Sequence, residues 1–437
     1  MADNLNAGPV SRHATIAPPS GSLRRAAPTF LAILAIALLI RAAVIFHPGH
    51  MQDVGLFERW ASEGVRFGIT SIYDRQLQLI TPDYPPLLLY VYTAIGHVVY
   101  GIQGSFAHTT LFVAALKLPA IIADALVALL LLVLGSRLGY TRRGLIAAGI
   151  YLIMPASWLD SAVWGQTDAF YSLLLLGTFA AIGFRRGVLA GVFVGLAVSA
   201  KFQVVAFLPL IAVLAASIDW RMFAKGLAAC IVTVLAVFTP FIMAGKIDNV
   251  MREYSEALGS YQLLSINAFN VWRLLFGYAA RTTSNLGTFG GLTFRTWGIA
   301  AFLVALAAIL VIASRAVRRA VDHGTRVEAV LSAAAMISLA FFLFPTEIHE
   351  RYLFPFVVLA ALWGTSGRRE MAVFLVLSLA VGLNIAHSLP ISVTDVFFRV
   401  VPAADRLVSL AVIVAGFAAS AMMIRRLRQK IELLRPV

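Results

Sequence analysis

Long apolar runs recur along this chain, near 28–46, 84–101, 108–135, 143–158, 166–184, 187–200, 203–217, 224–244, 296–314, 327–346, 350–366, 371–389 and 406–424. A membrane span needs about 20 predominantly apolar residues, and most of these runs approach that length. Hydrophobic residues make up 60% of the 437 and charged residues only 13%, whereas soluble domains carry about 25% charged residues. The mean hydropathy is +0.87. Lipid is therefore the expected solvent, and the helix is the element that satisfies its own backbone there. The expected fold class is all-α, a polytopic membrane protein.

The formal net charge of +14 invites a nucleic-acid partner, but its placement follows the positive-inside rule instead. If every apolar run crosses, the arginines at 137, 142 and 143, the pair Arg185 and Arg186, and the tail with Arg425, Arg426, Arg428 and Lys430 all fall outside. If the run 84–101 does not cross, these clusters become cytoplasmic, together with Arg221 and Lys225, Arg315, Arg318, Arg319 and Arg326, and Arg368 with Arg369. That run opens Asp-Tyr-Pro-Pro and contains His97 and several tyrosines, which suits an interfacial or re-entrant helix. The expected topology has about twelve spans, both termini cytoplasmic, and external loops at 47–107 and 245–295. Residues 1–27 read as a disordered cytoplasmic tail, 28–425 as one transmembrane domain, and 426–437 as a basic cytoplasmic tail.

A single cysteine, Cys230, excludes an internal disulfide and a cysteine zinc site. No Walker or dinucleotide fingerprint appears, and no clear internal repeat of the kind many transporters show. Ionisable residues within spans are costly and usually face the protein interior; here they are Arg41, Lys117, Asp124 and Lys201. Lys117 and Asp124 share a helix face two turns apart, too far to pair unless the helix bends at Pro119.

Several polar constellations gather at the external side. Asp53 follows the first span, and Val54, Phe57, Trp60 and Ala61 behind it share one helical face. Asp53 suits a helix N-cap or a general base taking the proton of an acceptor hydroxyl. His47 and His50 nearby lack the partner set of a metal site. Asp83 and Tyr84 precede Pro85 and Pro86, which rigidify a helix start. Trp164, Gly165, Gln166 and Asp168 lie between two apolar runs, where Asp168 is either a cap or part of a polar site. Lys201, followed by Phe202 and Gln203, is a cation near headgroup depth, suited to a lipid phosphate or to snorkelling. Pro345 and Pro355 bracket a turn presenting His349, Glu350 and Arg351. His and Arg suit a phosphate leaving group; interfacial anchoring is the alternative. The second external loop carries Tyr254, Tyr261, Asn267, Asn270 and Trp272, residue types that bind sugars and also line membrane interfaces.

Taken in order, Asp53, Asp83-Tyr84-Pro85-Pro86-Leu87, the Trp164-Gly165-Gln166 turn, Ala200-Lys201-Phe202-Gln203 and His349-Glu350-Arg351 resemble the GT-C glycosyltransferases. The pattern is similar to the glucosyltransferases of N-glycan assembly that use dolichyl-phosphate glucose. It also resembles bacterial mannosyltransferases related to the second mannosyltransferase of GPI-anchor synthesis, which share the Trp-Gly-Gln and His-Glu-Arg-Tyr turns. The glucosyltransferases carry His-Phe-Gln where Trp164-Gly165-Gln166 stands here. The resemblance spans residues 28 to 425. It implies a GT-C-like fold and an inverting transfer with Asp53 as catalytic base. It implies donor-phosphate contacts from Lys201, His349 and Arg351, with Gln166 and Gln203. Asp83, Tyr84, Trp164, Asp168, Glu350 and Asn267 are then the candidates for sugar or acceptor contacts. Enzymes of this type with lipid monophosphate donors work without metal; those with diphosphate donors use metal and a second acidic motif, which Asp168 neighbours without matching. No cofactor is expected.

The resulting expectation is a hexosyltransferase moving mannose or glucose from a polyprenyl-phosphate donor to a glycolipid, glycan or protein acceptor. The site would lie on the non-cytoplasmic face, periplasmic or exterior in a bacterial plasma membrane. A transporter or lipid flippase is the competing expectation; it demands ionisable groups at mid-membrane. A non-catalytic assembly subunit is the third, and would tolerate loss of Asp53.

Overall fold

The computed structural model describes residues 20–74, 82–256, 261–389 and 401–432. Among these, the chain is helical throughout except for one two-residue β-hairpin, Thr288–Phe289 with Leu292–Thr293. Seven helices are long and apolar enough to cross a bilayer: residues 21–44, 110–137, 220–243, 294–319, 323–343, 368–388 and 403–429. An eighth crossing arises if 141–153 and 155–164, bent by 50°, form one broken span. Pro155 explains that break, because its ring clashes with the preceding turn and it lacks an N–H to donate. Three shorter apolar helices, 168–183, 187–198 and 202–218, complete the set. The protein is an all-α polytopic membrane protein.

The expected tail 1–27 lies outside the described residues up to 19, and its remainder belongs to helix α1 (Ser20–Val44). At the other end the helix Pro402–Glu432 runs through position 426 without interruption, so the described part of the basic tail continues the last helix. Residues 433–437 lie outside the described residues.

The stretch 47–107, expected as the first external loop, is largely helical among its described residues. Helix α2 (Met51–Phe67) buries Val54, Phe57, Trp60 and Ala61, the face its spacing predicted. It packs on α3 (Pro86–Gln103), where Gly64 faces Thr93 and Gly96 faces the carbonyl of Ala61. The two helices pack on α4 (Thr110–Arg137), which in turn contacts α5 (Thr141–Ile153) and α7 (Asp168–Gly183).

Deeper in the bundle, α8 (Gly187–Val198) lies on α10 (Trp220–Met243) through Gly187, Gly191 and Gly195. Small residues at every fourth position let two backbones approach in lipid, where packing replaces the hydrophobic drive. Helix α14 (His323–Leu343) is the most enclosed, with 89% of its apolar window buried, against 11% for α10. Leu227, Ile231, Val232 and Leu235 of α10 are exposed, as residues facing acyl chains should be.

Arg41, Asp124 and Lys117, ionisable groups inside the bundle, are each matched. Asp124 pairs with Arg41 at 2.8 Å and accepts from Tyr151 and Ser161 at 2.6 Å each. Lys117 does not reach Asp124; its Nζ donates to the carbonyls of Ile45 (2.9 Å) and His47 (2.5 Å). Helix α7 leads from Asp168 to Arg185 and Arg186, and α14 leads from Arg326 to the turn holding His349. The polar constellations and the arginine clusters thus occupy opposite ends of these helices.

Candidate active site

Asp53 occupies the first turn of α2 without capping it: the N-cap is His50, with no side-chain cap hydrogen bond. Its carboxylate instead accepts from side chains 111 and 113 residues away. Trp164 Nε1 donates to Oδ2 at 2.7 Å and Gln166 Nε2 to the same oxygen at 2.6 Å. His50 Nδ1 lies 3.5 Å from Oδ2, and the His50 ring stacks on Trp164 at 4.6 Å. Both indole and amide converge on Oδ2, which leaves Oδ1 for the cavity that Asp53 lines. Burial pushes this carboxyl up, but Arg351, His50 and the two donors outweigh it and hold Asp53 below the usual carboxylate range. It is ionised at neutral pH.

The donors are aimed by an irregular segment. After α5 breaks at Met154, residues Leu159–Trp164 form a wide π-type turn closed by Gly165 at φ 92°. A Cβ there would meet Lys117 Cγ and Val54 Cγ2 at 3.4 Å each, and L side chains disfavour that conformation. Such π-turns often mark functional positions in helices. Gln166 is fully engaged: Nε2 serves Asp53, and Oε1 accepts from Tyr84 at 2.9 Å and Lys201 at 3.5 Å.

Asp168 begins α7, yet it too is no cap. Thr167 holds that position without a side-chain bond, and Asp168 pairs with Lys201 at 3.0 Å, the two side chains 0% and 3% exposed. Its other oxygen is 3.6 Å from Arg351 Nε. Arg351 also binds Glu350 at 2.6 Å and lies over the Trp164 ring. Asp168 and Gln166 are buried and lie just outside the lining of the cavity that the other candidates share, where they hold Lys201, Tyr84 and Asp53.

His349 is held by backbone pairing with the second external loop. Ile266 N donates to Ile348 O at 2.9 Å, and Glu347 N to Leu263 O at 3.1 Å. Asn267 and Glu347 both take φ 64°, an uncommon conformation for such residues. Asn384 Nδ2 fixes the first by donating to the Asn267 carbonyl at 2.5 Å. Tyr261 meets the His349 ring edge-on at 5.1 Å. Burial and Arg351 push the His349 imidazole well below its ordinary value, so it is neutral at pH 7. Asp83 is exposed to the cavity, and the protein around it and the nearby Asp53 charge raise its carboxyl.

These residues share a cavity of about 850 Å³. Asp53, Asp83, Tyr84, Trp164, Lys201, Gln203, Asn267, His349, Glu350 and Arg351 supply its polar lining. Beyond them the walls become apolar, with Val205, Ala206 and Pro209 facing Ile299, Phe302 and Leu303. Val205, Ile299 and Leu303 are 53%, 44% and 53% exposed, so this part opens onto the lipid-facing surface. Among the described residues no cluster of three His, Cys, Asp or Glu side chains is arranged to hold a metal.

The family model for glycosyltransferase family 87 matches residues 84–346, more than half of the sequence. The chain belongs to glycosyltransferase family 87. Its membership makes the protein a membrane glycosyltransferase of the GT-C class, the activity class its motifs predicted. No curated protein matches this family 87 member in sequence. Among solved structures, it is similar to the Archaeoglobus fulgidus oligosaccharyltransferase tethered with an acceptor peptide, at 16% identity and a TM-score of 0.44, covering 90% of this chain and 55% of that one. AglB from the same organism, in complex with an inhibitory peptide and a dolichol-phosphate, aligns at 14% identity and 0.40, over 90% and 56%. ArnT from Cupriavidus metallidurans, bound to undecaprenyl phosphate, aligns at 12% and 0.47, over 91% and 77%. The family 87 chain thus spans little more than half the length of the oligosaccharyltransferases.

Sequence reasoning passed over two arginines that line the same cavity, Arg281 and Arg295. Both fall in the stretch 245–295 expected as the second external loop.

Proposed function

We propose that this protein transfers a hexose, mannose or glucose, from a polyprenyl-phosphate donor to an acceptor hydroxyl on the non-cytoplasmic face. The observation that carries this reading is one continuous cavity. An ionised carboxylate, Asp53, stands at its polar end, and its other end is an apolar groove open to lipid. A polyprenyl phosphate is amphipathic, with an apolar tail and an anionic head, and such a cavity suits both parts. A nucleotide-linked sugar would have no use for the groove.

In the reaction, the acceptor oxygen attacks the anomeric carbon from the face opposite the phosphate. Asp53 Oδ1 takes the hydroxyl proton as the new C–O bond forms. The bond from the anomeric carbon to the phosphate oxygen breaks, and its electron pair leaves with polyprenyl phosphate. Attack from the opposite face inverts the anomeric configuration. Trp164 and Gln166 hold the base and keep it ionised. His349 meets the donor as a neutral hydrogen-bond donor, and Arg351, whose charge is shared with Glu350 and Asp168, orients the sugar–phosphate junction. Lys201 is committed to Asp168 and supports the wall beneath the sugar. Asp83, Tyr84 and Asn267 face the sugar or the acceptor. Both termini are cytoplasmic in this reading, because the arginine clusters mark the cytoplasmic ends of the helices whose other ends form the site.

The test is transfer in proteoliposomes. Wild type and Asp53→Asn receive radiolabelled polyprenyl-phosphate mannose or glucose, with a membrane extract as acceptor. Transfer by wild type alone supports the reading and names the sugar. Equal transfer by both removes Asp53 from the chemistry. Movement of labelled lipid across the bilayer without transfer would favour a flippase.

A further inference from the structure

The polar end of the cavity is poor in available positive charge. Lys201 and Arg351 face Asp53, Asp83, Asp168 and Glu350, and both cations are already paired with carboxylates. A phosphate that gains negative charge as its glycosidic bond breaks needs a cation beyond this balanced cluster.

One stands where the apolar groove begins. Arg295 lies in the first turn of α13 (Phe294–Arg319), and Ile299, Phe302, Leu303 and Leu306 follow it at helical spacing on the cavity side. This face therefore carries a guanidinium at its outer end and an apolar stripe about 10 Å long beneath it. The stripe is tied to the reaction site through rings: Phe302 meets Phe341 at 5.8 Å, Phe341 stacks on Tyr352 at 6.2 Å, and Tyr352 lies 5.0 Å from His349. Gly298 lets the Phe344–Thr346 backbone press directly against α13, since a Cβ there would sit 2.8 Å from the Phe344 carbonyl. That contact sets Arg295 beside Glu347, with Nε 3.6 Å from Oε1. Arg295 is thus also paired with a carboxylate, but more loosely than Lys201 (3.0 Å) or Arg351 (2.6 Å), and its side chain is 32% exposed against 3% and 10%. Arg281, from a separate stretch of the second external loop, lines the same cavity.

We infer that Arg295, with Arg281, binds the donor's phosphate from the lipid side, while the polyprenyl chain runs along the Ile299–Leu306 stripe. The inference rests on the polyprenyl-phosphate reading and assigns the charge recognition to residues outside the His349-Glu350-Arg351 turn. The guanidinium fork binds two phosphate oxygens at once, which an ammonium cannot do.

The test is equilibrium binding of undecaprenyl phosphate to the purified full chain in nanodiscs of neutral lipid. Arg295→Gln should weaken binding about tenfold or more, and Arg295→Lys should retain part of it. Arg281→Gln, on another segment, serves as the second variant if Arg295→Gln does not fold. Undecaprenol, which lacks the phosphate, should bind wild type and variants alike. Unchanged binding in both glutamine variants, with wild type binding normally, overturns the inference and leaves the donor reading standing. Failure of wild type to bind undecaprenyl phosphate overturns both. Displacement by phosphatidylglycerol as effective as by undecaprenyl phosphate would make this a general anionic-lipid site and overturn the donor assignment. Displacement by inorganic phosphate alone at comparable concentration would overturn the role given to the apolar stripe.

Discussion

Lys117 and Gly165 are in contact, and through that contact one buried lysine braces both halves of the base site. Its stem lies against Gly165, where a Cβ would come 3.4 Å from Cγ and 3.5 Å from Cε. Its ammonium holds the carbonyls of Ile45 and His47, just before the turn that carries His50 and Asp53. The donors Trp164 and Gln166 flank the glycine. Lys117→Met should leave two carbonyls unsatisfied and cost about 1–3 kcal/mol, read as a lower unfolding temperature in detergent. The turnover number should fall while the donor KM stays near wild type. A donor KM that rises with unchanged turnover would contradict the bracing role.

Gly165→Ala tests the same junction from the other side. The alanine must adopt φ 92°, at about 1–2 kcal/mol, while its methyl meets Lys117 and Val54 only at ordinary contact distance, so the backbone conformation carries the cost. Wild-type stability and activity in this variant would show that the turn has another accessible conformation.

Asp53→Asn should reduce transfer by about 10²–10⁴-fold and leave binding of undecaprenyl phosphate intact. Activity within a factor of a few of wild type would place the base elsewhere.

The acid limb of the pH profile follows from the partners of Asp53. Arg351, His50, Trp164 and Gln166 outweigh burial and lower its pKa. The active carboxylate form therefore persists to a lower pH than an ordinary carboxylate would and is lost as pH falls through this lowered pKa. Gln166→Leu removes one stabilising donor, so the Asp53 pKa rises and the acid limb moves to higher pH. An acid limb unmoved, or moved lower, would mean that this limb belongs to another group.

Lys201 and Asp168 form a buried pair, so removing one partner strands the other's charge at about 3–5 kcal/mol. Lys201→Met and Asp168→Asn should each destabilise strongly, and the double variant should cost less than the two single effects summed. Strict additivity in thermal or denaturant unfolding would show that the two are not coupled.

Much of this protein is readable before any contact is known. The buried face of α2 follows from the spacing of Val54, Phe57, Trp60 and Ala61, because helical periodicity is a local property. The sidedness of the helices follows from where arginines interrupt the apolar runs, since lipid penalises charge at every depth but the ends. Asp53, Trp164, Lys201 and His349 are visible as polar groups that such a chain has reason to keep at those ends. The capping roles open to Asp53 and Asp168 looked equally natural, because a carboxylate near a helix start fits both.

Only the tertiary structure decided between them. The indole and amide that reach Asp53 come from more than a hundred residues away, and no periodicity predicts that pairing. The same holds for Lys201, whose buried partner Asp168 lies 33 residues away in the chain, and for Arg295, which becomes the head of an apolar groove only when α13 packs beside the His349 turn. Apolar pattern and charge order are one-dimensional and set the class of fold and the end of each helix that carries chemistry. Which charges remain available to a substrate depends on distances across the bundle, and those exist only after the helices have packed.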